Sequence, residues 1–350
     1  MATSTNQVIE GQYLRDILDQ PQALDATLHQ LVVSTELVSI AGQLRDGAFQ
    51  RVFLTGMGAS FYALHPLFLW LNACRYTTLS AETSELVHSL SSWFDPQTLI
   101  IAVSQSGQSA EIVRLLEENR GRATIIGVTN VPDSALARGG NALLLTKAGK
   151  ESSVSCKTYL TSVLALRLLG GLLCGQDPAR TREELSQAAT AVASYLREWK
   201  DRVQEMAKEL DRAHDIFLLA RGASLAAAGE GALIIKESVR MHAEAMSGAA
   251  FRHGPLEMVS KQTFAIIFSG ADATRALQAK LRDDIRQAGG CTAWIAHSPQ
   301  PGPWNLPVTT ASASPIVEIL PVQMMTLAIA ANAGVEAGRF TRIPKITATE

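Results

Sequence analysis

The feature that most constrains this chain is a repetition. FLTGMGAS at 53–60 returns as FLLARGAS at 217–224, TLIIAVSQSG at 98–107 as TFAIIFSGAD at 263–272, and ATIIGVTN at 123–130 as CTAWIAHS at 291–298, at separations of 164, 165 and 168 residues. Three matches in one order and at nearly one spacing describe a single structural unit used twice. Each matched stretch is an apolar run ending in small or polar residues, and the segments between carry apolar residues at helical spacing. The runs at 51–56, 98–103, 123–129, 215–220, 263–269 and 291–296 predict strands, and 110–118 and 274–287 predict helices. Strands alternating with helices make parallel βαβ units. The expected fold is α/β, with two tandem doubly wound domains, each a parallel sheet flanked by helices in a flavodoxin-like three-layer α/β/α arrangement. An N-terminal helical arm covers 1–45, the first domain 46–180, a linking helix 181–214, the second domain 215–338 and a tail 339–350.

Composition agrees with two cores. The 350 residues are 47% hydrophobic and 18% charged, the reverse of a disordered chain. A formal net charge of -2 gives no basic field for nucleic acid, so a phosphorylated ligand would be a small molecule captured by local groups. Cys74, Cys156, Cys174 and Cys291 lack the paired spacing of a zinc or redox motif and are expected to be reduced thiols, buried or half-buried. The N-terminus lacks the basic and apolar regions of a signal peptide, and the apolar window 159–174 contains Arg167 and several glycines. A cytoplasmic protein without a membrane partner is expected.

SQSGQS at 104–109 lies where an apolar run passes into an amphipathic helix. Ligands of open parallel sheets sit at that place, outside the carboxyl ends of the strands. A helix N-terminus offers unpaired N–H groups and partial positive charge. Serine hydroxyls add donors without bulk, and Gly107 permits close backbone approach. One serine could simply cap the helix; capping does not account for three serines with a glycine among them. No Lys-Ser or Lys-Thr ending of a nucleotide P-loop follows, which favours a sugar phosphate. GMGAS at 56–60 offers Gly58 and Ser60 near the same sheet edge, whereas the echo of the serine turn reads SGAD, where Asp272 would repel phosphate.

Residues 228–257 read as an apolar-faced helix that breaks at Ser247-Gly248. Glu237 lies within it and His253 beyond it, in a loop bounded by glycine and proline, where an imidazole can be oriented and titrate near neutrality. By their own residue types, Glu237 is equally a solvated helix residue and His253 a surface loop residue.

The whole pattern resembles the sugar isomerase (SIS) family, in particular its amino-sugar-phosphate members. The resemblance runs through LDQPQAL at 18–24, the 56–60 and 104–109 loops, SALARGGNALLLTKAGKESSVSCKTYLT at 134–161, ARG at 220–222, GEGALIIKES at 229–238, MHAEAMSGAAFRHGP at 241–255 and KITATE at 345–350. It implies that Ser60, Ser104, Gln105, Ser106 and Ser109, with backbone approach at Gly58 and Gly107, hold the phosphate of a hexose or hexosamine 6-phosphate. It further implies that Glu237 shuttles a proton, that His253 opens the sugar ring from the neighbouring subunit of a homodimer, and that Lys345, on a catalytic tail, approaches the carbonyl. Glu230 is a further candidate at the start of the same helix. Moving a carbonyl between C1 and C2 needs one base that takes a proton from carbon and returns it next door, and this chemistry calls for no metal or organic cofactor. The family pattern has a lysine where Ile234 stands and an arginine where Thr341 stands, and SCKT at 155–158 replaces its ASTK.

No glutaminase half accompanies these motifs, so the expected activity is deamination and isomerisation of a hexosamine 6-phosphate. The alternatives are a deglycase of fructosamine 6-phosphates and a non-catalytic sugar-phosphate sensor. The sensor would need a DNA-binding segment, which 1–45 does not provide.

Overall fold

A computed structural model describes residues 7–210, 213–342 and 345. Contacts divide the chain into two compact units. The N-terminal unit holds 22–151, 157–186 and, from the tail, residues 342 and 345; the C-terminal unit holds residues up to 21, the short insert 152–156, and 187–341.

The N-terminal unit is built on β1 (Arg51–Gly56), β2 (Thr78–Glu82), β3 (Thr98–Val103), β4 (Thr124–Thr129) and β5 (Ala142–Leu145). All are parallel, in the order β2-β1-β3-β4-β5. The C-terminal unit repeats that order with β6 (Asp215–Ala220), β7 (Ala243–Ser247), β8 (Thr263–Phe268), β9 (Cys291–His297) and β10 (Asn305–Leu306). Strands covered on both faces read as unbroken apolar runs, which is why TLIIAV and TFAIIF are buried at every residue. On one face of the first sheet, Phe53, Ile100 and Ile125 pack with Ile112 and Leu115 of the helix Ala110–Asn119. In the second, Phe217, Ala265 and Ile267 pack with Phe251, Leu281 and Ile285.

The α/β fold with two parallel sheets is as expected, and the six strands read from the sequence are the central ones. β2, β5, β7 and β10 do not stand out in the sequence, because they are short and only partly buried. Three readings are corrected. The helix entering the Glu237 region ends at Val239, where Arg240 turns left-handed at φ 58, and β7 follows and runs up to Ser247. The stretch 181–214 is not one helix; Pro178–Leu185, Ala188–Leu196 and Trp199–Glu209 are separate. Cys291, the first residue of β9, is exposed. The stretch Ser314–Ala333 is long and apolar enough to cross a membrane, yet 89% of its most apolar window is buried inside the protein, as in a core helix.

Candidate functional site

A 2-1-3-4-5 sheet splits its connections between β1 and β3, and the crevice at that switch point is where such sheets bind ligands. The last register pair there is Gly56 with Val103, so the loops 57–60 and 104–109 leave the sheet side by side. Gly58, at φ 52, starts the short helix Ala59–Ala63 that carries half-buried Ser60. Gly56 is fixed by sterics: a Cβ there would lie 3.0 Å from the Val103 carbonyl oxygen and 3.1 Å from the Phe61 nitrogen.

The serine turn is braced from several sides. Ser104 N–H donates to the Val128 carbonyl at 3.0 Å, the Gln105 carbonyl accepts from Asn130 N–H at 3.1 Å and from Thr129 Oγ1 at 3.2 Å, and the Gly107 carbonyl accepts from Leu136 N–H at 3.0 Å. Gly107 is left-handed at φ 60, and a Cβ on it would fall 2.2 Å from Ser134 Oγ, so no other residue fits. Ser104 Oγ accepts from Gly107 N–H at 3.0 Å and Ser106 Oγ accepts from Gln108 N–H at 3.2 Å. A hydroxyl that accepts in this way keeps its hydrogen to donate. Ser109 stands at the N-cap of the helix Ala110–Asn119, yet its side chain makes no capping bond. Ser34 and Ser134, at other helix starts in this unit, do cap. Capping therefore does not explain Ser109.

Asn130 ties this turn to a second feature of the same unit. Its Oδ1 accepts from Thr146 Oγ1 at 3.1 Å and Ala148 N–H at 2.8 Å, and its Nδ2 donates to the Gly149 carbonyl at 2.7 Å. Two residues on, the buried carboxylate of Glu151 accepts from Thr158 N–H at 3.1 Å and Thr158 Oγ1 at 2.6 Å, and pairs with Lys345 Nζ at 2.9 Å. Glu151 and Asn130 were not recognised in the sequence. The only sign was a lone acid among small residues in AGKESS. Beyond Lys345 the KITATE motif lies outside the described residues.

The acid–base candidates Glu237 and His253 belong to the C-terminal unit. Glu230 and Glu237 lie two turns apart on Leu225–Val239, the former buried and the latter half-buried. Both carboxylates act on the buried Tyr13 of the N-terminal helix Gln12–Leu18. Its phenol is pushed well above the ordinary tyrosine range by burial first, then by the charges of Cys156, Glu230 and Glu237, against a hydrogen bond with Thr326. Tyr13 is thus a member of the Glu230–Glu237 neighbourhood that has no sequence signal. His253 is exposed at the end of Gly248–Arg252, a turn capped by Ser247 and anchored by Arg252 on Asp284 at 2.5 Å. Ile234 is fully buried, and the Thr341 hydroxyl accepts from Arg240 Nη2 at 3.0 Å. Among the described residues no three His, Cys, Asp or Glu side chains converge as metal ligands would.

The SIS domain model matches residues 49–170 and again 209–333. The chain therefore belongs to the SIS domain family. It is 29% identical over 350 residues to the isomerizing glutamine-fructose-6-phosphate aminotransferase of Pyrobaculum aerophilum, covering 96% of this chain and 57% of that protein. It thus spans a little over half the length of the curated relatives it matches. Its fold is shared with the C-terminal domain of glucosamine-fructose-6-phosphate aminotransferase from Francisella tularensis, at TM-score 0.83 and 22% identity, covering 95% and 98% of the two chains. It is also shared with glucosamine-6-phosphate deaminase from Thermotoga maritima, at TM-score 0.73 and 18% identity, covering 93% and 96%.

Proposed function

We propose that this SIS-family chain is a phosphosugar isomerase acting on a hexosamine 6-phosphate, which it converts to the ketose 6-phosphate and ammonia. The observation that carries the reading is the serine turn at the β1/β3 switch point, whose Ser109 hydroxyl sits at a helix N-terminus without capping it. Ser60, Ser104, Gln105, Ser106 and Ser109 grip the phosphate, with the helix N-terminus behind them.

At the other end of the sugar, His253 opens the ring. Glu237 takes the C2 proton and returns it at C1, which turns the 2-amino aldehyde into the C2 imine of the ketose through an enaminol. Water then adds to the imine carbon and ammonia leaves. Lys345, held by Glu151, stabilises negative charge developing on the carbonyl oxygen. The exposure of His253 and of Met258 just beyond it supports a homodimer in which the histidine serves the partner's site.

Incubation with glucosamine 6-phosphate should release ammonia and fructose 6-phosphate in equal amounts, and Glu237→Gln should slow this by about a thousandfold. Ammonia release that survives the substitution would overturn the mechanism. Buried Ile234 and the Thr341–Arg240 pair favour one second reading, a deglycase of fructosamine 6-phosphates with a reshaped amine side. Relative rates on glucosamine 6-phosphate and an amino-acid conjugate of fructosamine 6-phosphate separate the two.

A further inference from the structure

The two sheets share strand order, so the C-terminal unit has its own switch point between β6 and β8, with loops leaving after Ala220 and Phe268. Ser224 there is the counterpart of Ser60, and Ser269 of Ser104. Ser269 N–H donates to the Ile295 carbonyl at 2.8 Å, as Ser104 N–H does to Val128. The frame of an oxyanion pocket is therefore repeated. Its contents differ.

Gln278, fully buried on the helix Asp272–Gln287, donates from Nε2 to the carbonyls of Leu219 at 3.2 Å and Phe268 at 3.1 Å. Leu219 and Phe268 lie near the ends of β6 and β8, so this amide bridges the two strands there. In the same unit, Ser224 Oγ donates to Glu318 Oε1 at 2.9 Å, with Ser224 only 3% and Glu318 8% exposed. Glu318 Oε2 has no hydrogen-bond partner among the described residues. The Ser314 hydroxyl also faces this carboxyl and is paired with His297 Nε2 at 2.7 Å, at the end of β9, while His297 Nδ1 meets the Pro307 carbonyl at 2.6 Å. A buried carboxyl is costly even with the Ser224 and Ser314 hydroxyls against it, and is not a packing solution an apolar core would select. It holds an oxygen-bearing group where the N-terminal unit presents a half-buried serine.

We propose that Glu318 is the resident occupant of the C-terminal unit's copy of the oxyanion pocket, and that removing its carboxyl opens a second site, at Ser224 and Ser314, for a phosphate-sized oxyanion. The inference rests on the reading of Ser60 and the serine turn as a phosphate grip. It explains why each chain carries one such grip rather than two.

Equilibrium dialysis of the full chain against labelled inorganic phosphate tests it. Wild type should take up one phosphate per chain, Glu318→Ser and Glu318→Ala two, and the isosteric Glu318→Gln one. Adding Ser224→Ala to Glu318→Ser should return the count to one. Wild type at none with Glu318→Ser at one would sustain the occupant and overturn the phosphate reading of the N-terminal turn. Wild type at two, or folded Glu318→Ser and Glu318→Ala both at one, would overturn the proposal. So would failure of both to fold while Glu318→Gln folds, since the carboxyl would then be structural cement.

Discussion

The N-terminal and C-terminal units start from one strand order and matched loops, and they end with opposite treatments of the same crevice. In the first, hydroxyls of Ser104 and Ser106 accept from N–H groups of their own turn, and Ser109 leaves its helix uncapped by its side chain. In the second, Gln278 bridges the strand ends and Glu318 takes the hydroxyl of Ser224. Asp272, which the sequence suggests would repel phosphate, is spent at the surface on an ion pair with Arg275 at 3.3 Å. The difference teaches that a repeated fold supplies a place for a ligand, while a few side chains decide whether the place is kept open.

The largest expected effect concerns the filled pocket. Burial, against the Ser224 and Ser314 hydroxyls, pushes the Glu318 carboxyl up to about 7, from 4.5 for an ordinary glutamate. A carboxyl whose pKa is raised on folding adds stability that is complete below the unfolded value and is lost as pH climbs through the folded one. Wild type should therefore lose about 3 kcal/mol relative to Glu318→Gln between pH 4.5 and pH 8. His297 faces the same network through Ser314, so the comparison is made as the difference between the two proteins at each pH. Parallel denaturant curves across that range would contradict a buried, protonatable Glu318.

Next come two glycines, one in each turn though not at equivalent positions, since Gly107 aligns with Asp272. Gly107 and Gly270 are both left-handed, at φ 60 and 64, but a Cβ on Gly107 strikes Ser134 whereas one on Gly270 meets Thr274 Oγ1 at 3.2 Å and the Arg221 carbonyl oxygen at 3.7 Å. Gly107→Ala should cost about 2 kcal/mol or more and weaken sugar-phosphate binding, and Gly270→Ala about 1 kcal/mol with binding intact. Equal costs in chemical denaturation would mean that the serine turn is no more tightly specified than its echo.

The smallest effect separates binding from capping. Ser134→Ala removes a cap and should lower stability by about 1 kcal/mol. Ser109→Ala removes none, so its stability should stay within about 0.5 kcal/mol of wild type, while affinity for glucosamine 6-phosphate falls about tenfold. Thermal melts with and without the ligand read both quantities.

Much of this contrast was legible in the amino-acid sequence, and the limits have physical reasons. Central strands such as TLIIAV announce themselves because both faces are covered, whereas TLSAE and AEAMS, lying at edges and partly exposed, carry no pattern. SQSGQS was readable because its chemistry is local. Glu318 and Gln278 were not, since each acts through partners 94 and 59 residues away. Lys345 finds Glu151 across 194 residues, and Tyr13 reaches the Glu230 and Glu237 neighbourhood from the other end of the chain. Such pairings exist only once the chain is folded.

The central claim, that the serine turn of the N-terminal unit holds a sugar phosphate, is tested most directly by calorimetric titration of glucosamine 6-phosphate into the Glu237→Gln protein, which binds without turning over. One molecule per chain should bind, unphosphorylated glucosamine should not, and the heat should vanish when Ser104 and Ser109 are both changed to alanine in that background. Undiminished affinity in the double alanine variant would place the phosphate elsewhere and contradict the account.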